Sequence, residues 1–152
     1  MEIQTTLGES SARARKRKIN HYENSVGNNL QSVQITTKYR YKMMGKEKNE
    51  ELVRIAVEEA CKRHKISIEI LSVQREHVHF IVDCPRTLSV SKMMQLIKGF
   101  SAYLIFRMVP GFRLRYPKGH FWSEGYFCES CGSDFALAYS YVENQDVHHH
   151  FG

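Results

Sequence analysis

The stretch Glu76-His77-Val78-His79-Phe80-Ile81-Val82 sets a histidine, an apolar residue and a second histidine before an apolar run. On a β-strand, side chains alternate between faces. His77 and His79 then point one way, and Val78 and Phe80 the other. Two imidazoles on one face can hold a divalent metal ion; the plainer reading is two polar residues on the wet side of a half-buried strand. What tips the balance lies near the other end of the chain, in Tyr141-Val142-Glu143-Asn144-Gln145. On a helix, Tyr141 and Gln145 are one turn apart and share a face.

Working outward from the histidine strand, Ile66 to Gln74 reads as the strand before it, with Ile66, Ile68 and Ile70 alternating against Ser67 and Glu69. Arg75-Glu76 is a tight connection, so the two strands form a hairpin. Pro85 ends the second of them. Upstream, Gly45 to His64 has the helical period: Val53, Ala56, Val57, Ala60, Cys61 and His64 fall on one face, with acidic residues early and basic residues late. His64 reads as an ordinary end-of-helix residue. Before it, Leu30 to Thr37 is a β-branched alternating strand.

Downstream, Ser89 or Ser91 caps a helix to about Met108, before Pro110 and Gly111, with Met93, Ile97, Phe100, Leu104 and Met108 as its apolar stripe. Lys98-Gly99-Phe100 opens like an RNA-recognition signature, which belongs on a strand and not within a helical period. Aromatic-rich His120 to Cys128 reads as a fourth strand. Ser133 or Asp134 caps a last helix from Phe135 to about Gln145. The order βαββαβ plus a helix predicts an α+β, ferredoxin-like or RNA-recognition-like sandwich with an antiparallel sheet. One domain over residues 30–152 follows a basic tail over 1–29.

Bulk properties agree with a single globular domain. The chain has 152 residues, 42% hydrophobic and 25% charged. A net charge of +6 and a pI near 9.2 lean toward an acidic partner such as nucleic acid. No run is long enough to span a membrane, and the N-terminus lacks a signal-peptide core, so a cytoplasmic location is expected. In the tail, Arg13, Arg15, Lys16, Arg17 and Lys18 read either as a phosphate-binding arm or as a solvated leader. Lys38-Tyr39-Arg40-Tyr41-Lys42 interleaves cations with aromatics, and the loop bearing Arg113, Arg115 and Lys118 does the same with Phe112 and Tyr116. Both suit phosphate contacts and base stacking, or equally an exposed charged surface. Cys128 and Cys131 form one C-x-x-C, which predicts a local disulfide or two free thiols rather than zinc. The triplet His148 to His150 is a poor match to a zinc set and is either native or an expression remnant.

The chemistry open to these residues is phosphodiester transfer. Two strand histidines with the Gln145 carbonyl, completed by phosphate oxygens, make a mixed nitrogen and oxygen set suited to Mg²⁺ or Mn²⁺. Such an ion polarises a phosphodiester. Tyr141 can then be the nucleophile, giving a phosphotyrosine link and a free 3′-hydroxyl; the covalent bond conserves energy, so strands can be rejoined. A tyrosine on an amphipathic helix is, however, more often a core or surface residue, and Tyr139 is two positions away.

His77-Val78-His79-Phe80 resembles the His-hydrophobic-His motif of HUH nucleases. Lys98-Gly99-Phe100-Ser101, Gly119-His120-Phe121-Trp122-Ser123-x-Gly125-Tyr126-Phe127 and Tyr141 to Gln145 resemble the other signatures of the IS200/IS605-family Y1 single-strand DNA transposases, in order, over about Leu30 to Gln145. The resemblance implies His77, His79 and Gln145 as metal ligands and Tyr141 as the single nucleophile. It implies a homodimer whose active sites pair the histidines of one subunit with the tyrosine helix of the other, and substrates that are subterminal hairpins in single-stranded transposon ends. Lys38, Arg40, Lys42, Lys98, Arg113, Arg115 and Lys118 are the candidate DNA contacts. The chain departs from the pattern in its long basic leader, in Cys128 and Cys131, and in Glu124. Two rival readings remain: a replication-initiator or relaxase-type nuclease, usually larger, and a non-catalytic nucleic-acid-binding module with structural histidines. A thiol-redox or metal-storage protein would leave the histidine pair and Tyr141 unused.

Overall fold

A computed structural model describes residues 29–132 and 134–151, with side chains described as far as Gln145. The basic tail, Ser133 and the imidazoles of His148 to His150 lie outside what is described. Strands β1 (Leu30–Thr36), β2 (Ser67–Val73), β3 (His77–Asp83) and β4 (Phe127–Ser130) form one sheet in the order β2-β3-β1-β4, with every neighbouring pair antiparallel. Helix α1 (Glu47–Arg63) follows β1, α2 (Val90–Met108) follows β3, and α3 (Phe135–Phe151) follows β4. This is the ferredoxin-like α+β sandwich with an added helix. Among the described residues no helix is long and apolar enough to cross a membrane.

Alternation along the strands separates two cores. Val33, Ile35, Val78, Phe80 and Val82 face α1 and α2, where they meet Val53, Val57, Met93 and Ile97. Each such side chain, fully buried, contributes roughly 1.5–3 kcal/mol. The opposite face carries Leu30 and Ile81, which pack with Phe135, Tyr139 and Val142 of α3. Helix α3 lies mainly over β2, with fewer contacts to β3. Beyond Leu30, the part of that face formed by Ser32, Gln34, Phe127 and Glu129 borders open space.

Local chemistry fixes most element ends. Ser89 caps α2, its Oγ accepting from the Lys92 N–H at 3.0 Å. His64 ends α1 with its ring Nδ1–H donating to the Ala60 carbonyl at 2.8 Å, the structural role expected for it. Lys98-Gly99-Phe100 lies within α2, as its helical period required.

Four details differ from the sequence reading. A β-bulge between Ile68 and Ile70 makes Glu69 the extra residue of β2, so Ile68 packs in the first core and Ile70 in the second rather than on one face. The buried stripe of α2 runs through Met93, Ile97, Ser101 and Ile105, while Phe100 and Leu104 are only half-buried and Met108 is exposed. A serine lies in that stripe because its hydroxyl accepts the buried Trp122 Nε1–H at 2.9 Å. The aromatic run is not one strand: Phe121, Trp122 and Ser123 pair with the end of β1, then Gly125 at φ 78° turns the chain, and β4 begins only at Phe127. The last helix continues past Gln145 to Phe151.

Candidate active site

The α3 face of the sheet is built in cross-strand rows. Ser72, His79, Gln34 and Phe127 form one row across β2, β3, β1 and β4; Ile81, Ser32 and Glu129 form the next; His77 pairs with Thr36 at the other side. His77 and His79 share this face, as strand alternation demands.

His79 is the centre of the polar network. It is buried, and burial holds its imidazole below the usual histidine range, against the Gln145 hydrogen bond and with a smaller push from His77. Its Nδ1 stands 3.1 Å from Gln145 Oε1 and its Nε2 2.9 Å from Ser32 Oγ. An amide oxygen only accepts, so Nδ1 carries the proton in this arrangement and Nε2 accepts from the Ser32 hydroxyl. In the other tautomer Nε2–H donates to Ser32 and the Nδ1 lone pair is released toward Gln145. Ser32 serves both, because a hydroxyl rotates.

His77 is half-buried, and its Nδ1–H donates to the Glu76 carboxylate at 3.0 Å. That leaves Nε2 as its free donor atom. Gln145 is anchored from behind: Gln74 Nε2 donates to its backbone carbonyl at 3.0 Å and to Ser72 Oγ at 2.7 Å. Ser32, Glu76 and Gln74 were not singled out in the sequence. Glu76 directly precedes His77 in the chain, whereas Ser32 and Gln74 are brought to the site by the fold.

Tyr141 stands edge-on to the His79 ring, centroids 5.6 Å apart, and is 59% exposed. Tyr139 instead is buried against Phe135. Two residues on a helix are about 200° apart, so one tyrosine enters the core when the other faces out. His79, Gln145 and Tyr141 thus meet within one chain. Beside them lies an open cleft of about 690 Å³, floored by Ser32, Gln34, Phe127 and Glu129 and walled by Leu137 and Tyr141 of α3.

The residues fit a divalent cation. His79 Nδ1 and Gln145 Oε1 are separated by 3.1 Å, about the edge of an octahedron with bonds of ~2.1 Å. Each histidine has one nitrogen tied to an orienting group, the arrangement that fixes ring and tautomer at metal sites. Among the described residues no three His, Cys, Asp or Glu side chains gather as a ligand cluster, so the protein's donors here are imidazole and amide.

The candidate DNA contacts divide. The exit of β1 and the loop at 113–118 come together just beyond Thr36: Tyr39, Tyr41 and Tyr116 stack, and Arg115 lies 4.2 Å over the Tyr41 ring. Lys38 and Lys118 line a small pocket there with Tyr39, Tyr116 and His120. Tyr116 is buried and its hydroxyl, donating to the Lys38 carbonyl, has its pKa pushed up to about 12, chiefly by desolvation. Arg40 and Lys42 are exposed beside this surface. Arg113 instead packs over Phe106 at 4.8 Å and under Gly119, where a side chain would collide with it. Lys98 donates to the carbonyls of Ser123 and Gly125, both at 2.7 Å, and holds the turn before β4. The four cysteines are free thiols; Cys128 Sγ–H donates to Gln31 Oε1, and Cys131 is buried in the second core.

This fold is shared with solved transposase structures. One, from Deinococcus radiodurans and assigned as a transposase, superposes with a TM-score of 0.64 at 20% identity, over 80% of this chain and 94% of the other. A REP-associated tyrosine transposase, solved bound to a REP hairpin, gives 0.59 at 15% identity, over 82% and 70%. In sequence, the transposases for insertion sequence element IS200 of Salmonella typhimurium and Salmonella typhi are 27% identical over 70 residues, 46% of this chain and 46% of theirs. The match thus spans about half the length of these relatives. Residues 25–145 match the family described as Transposase IS200 like, the Y1 transposases, and the chain belongs to that family.

Proposed function

We propose that this protein nicks and rejoins single-stranded DNA at transposon ends through Tyr141, with His77, His79 and Gln145 holding Mg²⁺ or Mn²⁺. The observation that carries the reading is the convergence of Tyr141 and Gln145, one turn apart on α3, on the buried ring of His79. Family membership supports it from a separate direction. When bound, the cation would polarise the scissile phosphate and offset the charge that develops on it. The Tyr141 oxygen attacks phosphorus and its proton passes to solvent. The bond to the 3′ oxygen breaks, that oxygen takes up a proton, and the 5′ phosphate stays on the tyrosine. Attack by another 3′-hydroxyl reverses the step and joins strands. His79 is kept in one orientation by Ser32, His77 by Glu76, and Gln145 by Gln74.

Recognition of a subterminal DNA hairpin belongs to the same reading; a relative of the same fold has been solved with a REP hairpin. Lys38, Arg40, Lys42, Arg115 and Lys118, set among stacked tyrosines, are the proposed phosphate and base contacts, with Arg113 and Lys98 placing the loops that carry them. The resemblance also implies a homodimer with exchanged tyrosine helices, an alternative to the pairing of Tyr141 with His79 within one chain that the geometry favours.

The test is a single-stranded oligonucleotide incubated with protein and Mg²⁺ or Mn²⁺, read as a covalent adduct on a denaturing gel. Wild type should form the adduct, and chelation should abolish it. Tyr141→Phe should form none while Tyr139→Phe still does, and His79→Ala should bind DNA without cutting it. An adduct from Tyr141→Phe would remove the mechanism, and binding without any adduct would favour a non-catalytic module.

A further inference from the structure

The cleft beside Tyr141 has a lining unlike that of a phosphate site. Among the described residues that line it there is no Lys or Arg, and the charged side chains are the carboxylates of Glu129 and Asp134. Two carboxylates repel a phosphodiester. Its aromatic floor residue, Phe127, is 59% exposed, and Leu137 on the opposite wall is 72% exposed. Side chains this apolar and this open, around about 690 Å³ of space, form a slot of ligand size for a flat apolar-faced group. Phe127 sits in the His79 row of the sheet and Glu129 in the row behind it, two residues along β4 on the same face. Gln34 lies between His79 and Phe127.

The geometry points to a base-reading subsite: the cleft between β4 and α3 takes the unpaired nucleobase next to the scissile phosphate, stacked on Phe127, with its polar edge toward Glu129. The inference rests on the proposed single-strand chemistry and adds how the cleavage point is chosen. In a single strand the Watson–Crick edge is free to be read. An ionised carboxylate accepts only, and it can accept two parallel hydrogen bonds. Guanine offers two parallel donors on that edge, its ring N–H and its exocyclic amine. Cytosine and adenine offer one amine beside an acceptor. Thymine has no amine and places two carbonyls around its one N–H. Glu129 therefore ranks guanine first and thymine last. Gln34 and Ser130 can hydrogen-bond either kind of edge and add little discrimination. The Glu129 and Asp134 carboxylates disfavour the phosphodiester at their end of the cleft and leave the backbone to the end lined by His79 and Tyr141.

The experiment uses the full chain with Mn²⁺ and a pool of single-stranded DNA oligonucleotides of random sequence. The covalently attached fragments and the released 3′-hydroxyl fragments are sequenced. At one flanking position, wild type should favour guanine over thymine by about tenfold or more, the discrimination expected of a bidentate contact. Glu129→Gln, nearly isosteric and exposed, should flatten that ranking, since an amide also donates. Phe127→Ala should lower adduct yield about tenfold at limiting DNA, the loss expected for one base stack, while keeping the ranking. Adducts with no base preference at either flank overturn the subsite and leave the nicking reading standing. A ranking unchanged in Glu129→Gln overturns it as well. The absence of any adduct overturns both readings.

Discussion

At the scale of single residues, burial sets what each titratable group does. Glu58, half-buried on α1, has its carboxyl raised from 4.5 to about 7, chiefly by desolvation, with Arg54 opposing. The folded pKa lies above the unfolded one. Its favourable contribution is therefore complete below pH 4.5 and is lost as pH rises through about 7. Stability measured by urea unfolding should fall between pH 5 and pH 8, and Glu58→Gln should remove roughly 1–2 kcal/mol of that fall, a value reduced for partial exposure. A variant with the wild-type pH slope would show that the carboxylate is well solvated. Tyr139 and Tyr141 make the same contrast by geometry: one fills the second core, the other lines the cleft. The i, i+4 relation of Tyr141 to Gln145 was legible in the sequence. The choice between the two tyrosines was not, because it depends on where the sheet lies.

At the scale of elements, the signatures around Lys98 and Trp122 prove to be one device. Ser101 accepts the Trp122 N–H in the core, and Lys98 gathers the Ser123 and Gly125 carbonyls. Together they pin the segment that interrupts the fourth strand and so set where Phe127 and Glu129 stand. Ser101→Ala leaves a buried indole N–H without its acceptor and should cost about 1–3 kcal/mol. Differential scanning calorimetry should show a lowered Tm, and Ser101→Thr should recover part of it; an unchanged Tm in Ser101→Ala would mean the indole finds another partner. The cations of the 113–118 loop divide in the same way. Arg113 is spent on Phe106 and Gly119, whereas Lys38 and Lys118 stand at an open pocket. Lys38→Ala with Lys118→Ala should lower the salt dependence of DNA binding by roughly two phosphate contacts. An unaltered slope in a fluorescence titration would assign both lysines to the solvated surface.

At the scale of the whole molecule, one chain brings His79 and the tyrosine helix together. Mixing Tyr141→Phe with the His77→Ala/His79→Ala double variant tests this directly. If each chain uses its own helix, every mixture stays inactive, which is the outcome expected from the contact of Tyr141 with His79. Adduct formation by the mixture would show that helices are exchanged between subunits, as the resemblance implies.

The sequence by itself determined the βαββαβ order, the common face of His77 and His79, the hairpin that carries them and the pairing of Tyr141 with Gln145. These follow from periods of two and 3.6 residues, which covalent geometry imposes within a few positions. Only the tertiary structure decided the bulge at Glu69, the break of the aromatic strand at Gly125, the support of His79 by Ser32, and which cations are free. Each of those depends on groups far apart in the chain. Ser32 and His79 are 47 positions apart and meet at 2.9 Å only because β1 lies between β3 and β4. The cleft exists because α3 packs mainly over β2 and leaves Ser32 and Gln34 of β1 and Phe127 and Glu129 of β4 beside open space, a matter of how one helix packs and not of any local pattern.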